Sequence, residues 1–139
     1  MNAQPTLEKL ESSLKAAWCR ATCWPPMRKD WTKERPEHGQ CLVSSLVVSE
    51  YYGGSLVMAN VKVPGLEDPV LHFFNRLKGG DVDTTWVQFP EGRTIAELDL
   101  KDPKNHKLYR QCLDDPEMHI RLSKLLGSVR AKINITPAL

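Results

Sequence analysis

The spacing of apolar residues changes twice along the chain. After Pro5 and Thr6, the residues Leu7, Leu10, Leu14, Ala17 and Trp18 recur three and four positions apart. That is the period of one helical face, and it predicts a helix from Leu7 to near Arg20 with Thr6 as its cap. Thr22 to Gly39 holds Pro25, Pro26 and Pro36 among mixed charges with no sustained period, and reads as an ordered loop carrying Trp24 and Trp31. From Gln40 to Tyr52 the apolar residues Leu42, Val43, Leu46, Val47 and Val48 crowd together until Gly53 and Gly54, where a left-handed helix cap forms easily. This predicts a buried helix, with a strand as the alternative because of the valines.

The period then shortens. Ser55 to Val63, Val70 to Leu77 and Asp81 to Phe89 read as three strands, the first ended by Pro64 and Gly65 and the last by Pro90. Lys78, Gly79 and Gly80 supply a hairpin turn between the second and third. A polar loop follows, and helical spacing returns after Asp102-Pro103 and again after Asp115-Pro116, each a cap followed by a first helical residue. Met118, Leu122, Leu125, Leu126 and Val129 give the last helix its apolar face. The expected fold is α+β: a small antiparallel sheet packed against a central buried helix, flanked by N- and C-terminal helices, with residues 1–139 forming one domain.

Composition narrows the function. Hydrophobic residues are 41% and charged residues 26% of the chain, which suits a globular protein and argues against disorder. Nineteen Lys and Arg against 17 Asp and Glu give a net charge of +2, too balanced to imply nucleic-acid binding. The apolar run Leu42 to Tyr52 contains Ser44, Ser45, Ser49 and Glu50 and is too short to span a bilayer. The first ten residues lack the basic start and apolar core of a secretory signal, so the protein is expected in the cytoplasm with Cys19, Cys23, Cys41 and Cys112 reduced.

Cys41 has the strongest claim to chemistry. Placed at the start of the buried helix, its sulfur meets unpaired backbone N–H groups and the positive end of the helix dipole, which favour thiolate. The same N–H groups can stabilise an oxyanion, with Gln40 or Trp31 as second donor. The alternative is a small core residue. His72 lies in the strand Val70-Leu71-His72-Phe73-Phe74-Asn75, and a helix-borne cysteine packed on a strand histidine is the pairing that a nucleophile and its base require. Asp83, Asn75 or Gln88 can orient the imidazole, the carboxylate being best able to support imidazolium. A turn centred on Gly79 and Gly80 puts Trp86 to Gln88 opposite His72, so Asp83 is expected to be displaced by roughly 10 to 17 Å along the strand unless a bulge or shifted turn closes the gap. Trp24 and Trp31 precede Cys41 and can wall a substrate cleft, with core packing as the alternative.

The segments Thr22-Cys23-Trp24-Pro25-Pro26, Trp31-Thr32, Gly39-Gln40-Cys41, Tyr51-Tyr52-Gly53-Gly54, His72 through Leu77, Asp83-Thr84-Thr85 and Gln88-Phe89 resemble the YunG-like family of bacterial proteins over residues 22 to 89. That resemblance implies no particular activity. The order Cys41, His72, Asp83 is also similar to the core of transglutaminase-like and papain-like proteins. This second resemblance implies acyl hydrolysis or transfer on an amide, peptide or ester, with no cofactor: Cys41 as nucleophile, His72 as base, Asp83 as orienter, and Gln40 with the Cys41 amide as oxyanion donors. Trp24, Trp31, Asn75 and Gln88 are then candidate substrate contacts. The expected partner is an amide, peptide or ester substrate, a protein among the options, with neither nucleic acid nor membrane.

Two other classes stay open. One is a non-catalytic binding or regulatory module on the same fold. The other is an interaction domain with zinc on Cys19, Cys23, His38 and Cys41, although the paired Cys-x-x-Cys knuckles of such sites are missing. Cys112, between Leu108 and Leu113, reads as a packing residue, and His106 and His119 as solvated or capping groups.

Overall fold

A computed structural model describes residues 4–98 and 107–134. Helix α1 spans Leu7–Ala17, and the Thr6 side chain accepts a hydrogen bond from the Lys9 amide as its cap. The loop after it contains two short 3-10 turns, Arg20–Thr22 and Pro25–Asp30. Helix α2 spans Cys41–Tyr52 and resolves the helix-or-strand ambiguity of that segment. Its limits are set by Gly39 and Gly53, both at φ 70°, a conformation that side-chain-bearing residues rarely adopt.

Four strands follow as an antiparallel sheet in the order β3-β2-β1-β4, with β1 at Ser55–Lys62, β2 at Val70–Leu77, β3 at Gly80–Val82 and β4 at Thr94–Glu97. Two expectations change here. The third strand stops at Val82 instead of Phe89, because the Asp83 carboxylate accepts a hydrogen bond from the Thr85 amide and turns the chain. A 3-10 turn at Trp86–Gln88 takes the place of the rest of that strand. Strand β4 was not expected, and all four of its residues are exposed, so no alternation of buried and exposed positions marks it.

Helices α3, Lys107–Asp114, and α4, Pro116–Ile133, close the chain. Asp115 caps α4 through the Glu117 amide, as the Asp-Pro pair predicts. The Asp102-Pro103 pair and His106 lie outside the described residues. The main core joins α1, α2 and α4 through Leu10, Leu14, Val43, Val47, Leu125 and Val129, all fully buried. A smaller cluster of Val61, Val63 and Phe89 forms on the sheet. Asn75 of β2 ties the sheet to α2, its amide donating to the Ser45 carbonyl at 2.9 Å and to the Ser49 hydroxyl at 3.1 Å. No helix among the described residues is long and apolar enough to cross a membrane.

Candidate active site

Cys41 is the first residue of α2, partly exposed, and the amides at this end lack the carbonyl partners that a preceding helical turn would supply. What fixes the helix start is the loop before it. Gln40 is fully buried, its amide donating to the Cys19 carbonyl at 3.0 Å and its carbonyl oxygen accepting from the Thr22 hydroxyl at 2.9 Å. The Gly39 carbonyl accepts from the Trp24 amide at 2.9 Å, and a Cβ at position 39 would sit 2.5 Å from the Cys23 sulfur. The Gln40 side chain therefore anchors the helix start. Backbone N–H groups, beginning with that of Cys41, are the donors this helix end presents.

His72 is fully buried in β2. Its Nε2 lies 2.6 Å from Asp83 Oδ2, while Asp83 Oδ1 accepts from the Thr85 amide, so both carboxylate oxygens are held. The displacement expected for Asp83 is reduced by the register. Leu77 pairs with Gly80 across a two-residue turn of Lys78 and Gly79, which brings Thr85, not Trp86 to Gln88, level with His72. Ending β3 at Val82 then frees Asp83 to lean back to the ring. Gln88 approaches the other nitrogen, Nδ1, only at 3.4 Å, long for a hydrogen bond, so the carboxylate is the stronger orienter. Phe89 packs edge-on against the imidazole at 5.0 Å between centroids, with Trp86 at 6.1 Å.

Cys41 acts on His72 from the helix side. Burial of the imidazole favours its neutral form, but hydrogen bonds with Asp83 and with Cys41, together with the charges of both, outweigh burial and push His72 up to about 9. With Nε2 held by Asp83, Nδ1, which Gln88 approaches at 3.4 Å, is the nitrogen left for another partner. Cys23, by contrast, has its thiol pushed up to about 11 by burial, and burial also raises Cys112. Both shifts make these thiols poorer nucleophiles near neutral pH.

Cys41 opens onto a cavity of about 350 Å³ whose apolar wall includes Trp24, Met27, Leu42, Leu71 and Phe73. Gln88 lines it, and so do Cys112 and Arg121 from the last two helices. A family model described as YunG protein matches residues 6–124. The chain belongs to the YunG family. A curated relative, "Uncharacterized protein YunG" of Bacillus subtilis (strain 168), is 30% identical over 111 residues, covering 73% of this chain and 87% of the relative. The YunG match thus extends beyond residues 22 to 89, taking in α1, α3 and half of α4. No solved structure matches the chain, so the likeness to transglutaminase-like and papain-like cores has no structural neighbour behind it.

Within this YunG-family fold the expected site residues separate. Cys41, His72 and Asp83 come together, and Trp24 and Gln88 line the adjoining cavity. Trp31 does not wall it: the ring is buried, its N–H donates to the Pro36 carbonyl at 3.1 Å, and Arg20 lies over its face. Asn75 is a buried tie between sheet and helix, with its amide already engaged, and not a substrate contact. Cys112, expected to be packing, faces the cavity. Among the described residues no group of three or more His, Cys, Asp or Glu side chains is arranged to hold a metal ion, which leaves the zinc reading without a site.

Arg121 was missed, although its signal is in the sequence. Met118, Leu125 and Val129 are spaced as one buried helical stripe, and position 121 falls on that stripe as an arginine. A cation at a core position calls for a partner or a role.

Proposed function

We propose that this YunG-family chain is a cysteine-dependent acyl hydrolase or acyltransferase acting on an amide, peptide or ester, on a core of transglutaminase-like or papain-like type. The observation that supports the reading is His72, held by Asp83 on one nitrogen and near enough to Cys41 for that residue to raise its titration, beside a mostly apolar cavity that Cys41 lines. The sulfur of Cys41, as thiolate, forms a bond to the carbonyl carbon of the substrate while the C=O π pair moves onto oxygen. The developing oxyanion meets the Cys41 amide at the positive end of α2, with the Gln88 amide as a second donor from the cavity wall. The tetrahedral adduct collapses, the bond to the leaving group breaks, and His72 delivers its proton to that group from Nδ1. His72, now neutral, takes a proton from water or another acceptor nucleophile as it attacks the thioester, which returns the thiolate and the imidazolium. Asp83 keeps the ring in register and stabilises its charged form throughout.

The test is acyl-enzyme formation with p-nitrophenyl acetate, followed by intact-protein mass spectrometry after an acid quench. The expected result is an initial release of nitrophenol and an acetyl group on Cys41. Both should be lost in Cys41→Ala and slowed by about a hundredfold or more in His72→Ala. Acetylation spread evenly over the thiols and unaffected by His72→Ala would overturn the proposal.

A further inference from the structure

Arg121 is 3% exposed, and it lies in the wall of the same cavity as Cys41. A guanidinium carries five N–H donors and cannot lose its charge. Here one Nε–H donates to Glu117 Oε2 at 2.7 Å and one Nη2–H meets the Met118 sulfur at 3.3 Å, a weak acceptor. Among the described residues the other donors have no hydrogen-bond partner. Glu117 does not neutralise Arg121 alone, because its second oxygen binds Arg28 at 2.6 Å. Two guanidiniums on one carboxylate leave a surplus positive charge. Asp115 also borders the cavity, but it is exposed and its Oδ1 accepts from the Glu117 amide as the cap of α4.

A buried, under-partnered guanidinium is costly unless something completes it, and the group it matches in shape and charge is a carboxylate, which it can grip with two parallel N–H bonds. The rest of the wall is mostly apolar, with Gln88, Gln111 and Asp115 as its other polar side chains. We infer that the cavity binds acyl substrates with an apolar body and a free carboxylate, such as an N-acylated apolar amino acid or the C-terminal end of a short peptide, and that Arg121 is the carboxylate-binding residue. The inference rests on Cys41 being the nucleophile, and it adds the substrate class.

The probes are N-bromoacetyl-leucine and N-bromoacetyl-leucinamide, which differ only in carboxylate against carboxamide. Each reacts by bonding the thiolate sulfur to the CH2 carbon with loss of bromide. Rates at Cys41 are read by peptide mass spectrometry and normalised to glutathione. The expected result is a preference for the carboxylate probe of about tenfold or more, the scale of a charge-assisted hydrogen bond, abolished in Arg121→Gln and partly kept in Arg121→Lys. In the unmutated protein, N-acetyl-leucine should protect Cys41 from iodoacetamide while N-acetyl-leucinamide does not, so the question is decided even if the glutamine variant unfolds. Labelling that depends on His72 but shows no carboxylate preference and no protection would overturn this inference and leave the cysteine chemistry standing. Labelling of Cys41 that is indifferent to His72→Ala would overturn the cysteine chemistry itself. A preference that survives Arg121→Gln would overturn the assignment of Arg121.

Discussion

His72 carries three relationships on one ring: a carboxylate on Nε2, a sulfur beside it and an aromatic edge from Phe89. Replacing the carboxylate by an amide of the same size removes charge with little change of shape. In Asp83→Asn the His72 titration, followed by NMR of the imidazole, should move from about 9 toward the ordinary histidine value, because burial is then opposed by less. Acylation at neutral pH should fall by tenfold or more as the ring loses its orienting partner. Gln88→Ala leaves Asp83 in place, so its expected signature is a slower acylation step with the His72 titration nearly unmoved.

At the scale of elements, the site depends on how α2 is seated. Asn75 fastens β2 to the middle of α2, and Gly39 lets the loop pass against Cys23 before the helix begins. Asn75→Ala removes two buried hydrogen bonds and should cost about 1 to 3 kcal/mol in denaturant unfolding. Gly39→Ala combines a positive φ with a Cβ 2.5 Å from the Cys23 sulfur, so a loss above about 2 kcal/mol is expected. Each variant that still folds should also lose Cys41 reactivity, because the helix start shifts relative to His72. The start of α2 was legible in the sequence because glycines bracket its apolar run, and β2 was legible from Val70 to Leu77 because Pro69 and the Lys78-Gly79 turn bound it. Strand β4 was not, since exposed residues leave no alternation to read. The overlong third strand arose from Trp86 and Phe89, whose apolar character belongs to a turn folded over the histidine.

For the whole molecule, the protonation of His72 is linked to folding. Its folded value of about 9 lies above the ordinary 6.5, so the stabilisation is complete below about pH 6.5 and is lost as the pH rises through about 9. The loss should be on the order of 3 kcal/mol in urea unfolding, and much smaller in Asp83→Asn. Above pH 9 the buried thiol of Cys23, held up to about 11, adds a further decline of the same sign, and a Cys23→Ala control separates the two. Sequence spacing located Cys41 and His72 individually but left Asp83 out of reach, because a one-residue shift of the turn centre moves every partner across the hairpin by two positions. Cys112 of the cavity wall escaped for a different reason: tertiary packing brings it to the cavity, and helical spacing does not show that, whereas Arg121 was legible as an arginine on the buried stripe of α4.

The central claim is that the sulfur at Cys41 and the imidazole at His72 act as one unit. Its most direct measurement is the rate of iodoacetamide alkylation at each cysteine from about pH 5 to about pH 9, in the wild type and in His72→Ala. The account expects Cys41 to react fastest across that range, with Cys23 and Cys112 nearly inert, and to slow at least tenfold at neutral pH without the imidazole. Equal reactivity of the accessible thiols, or a Cys41 profile unchanged by His72→Ala, would contradict it.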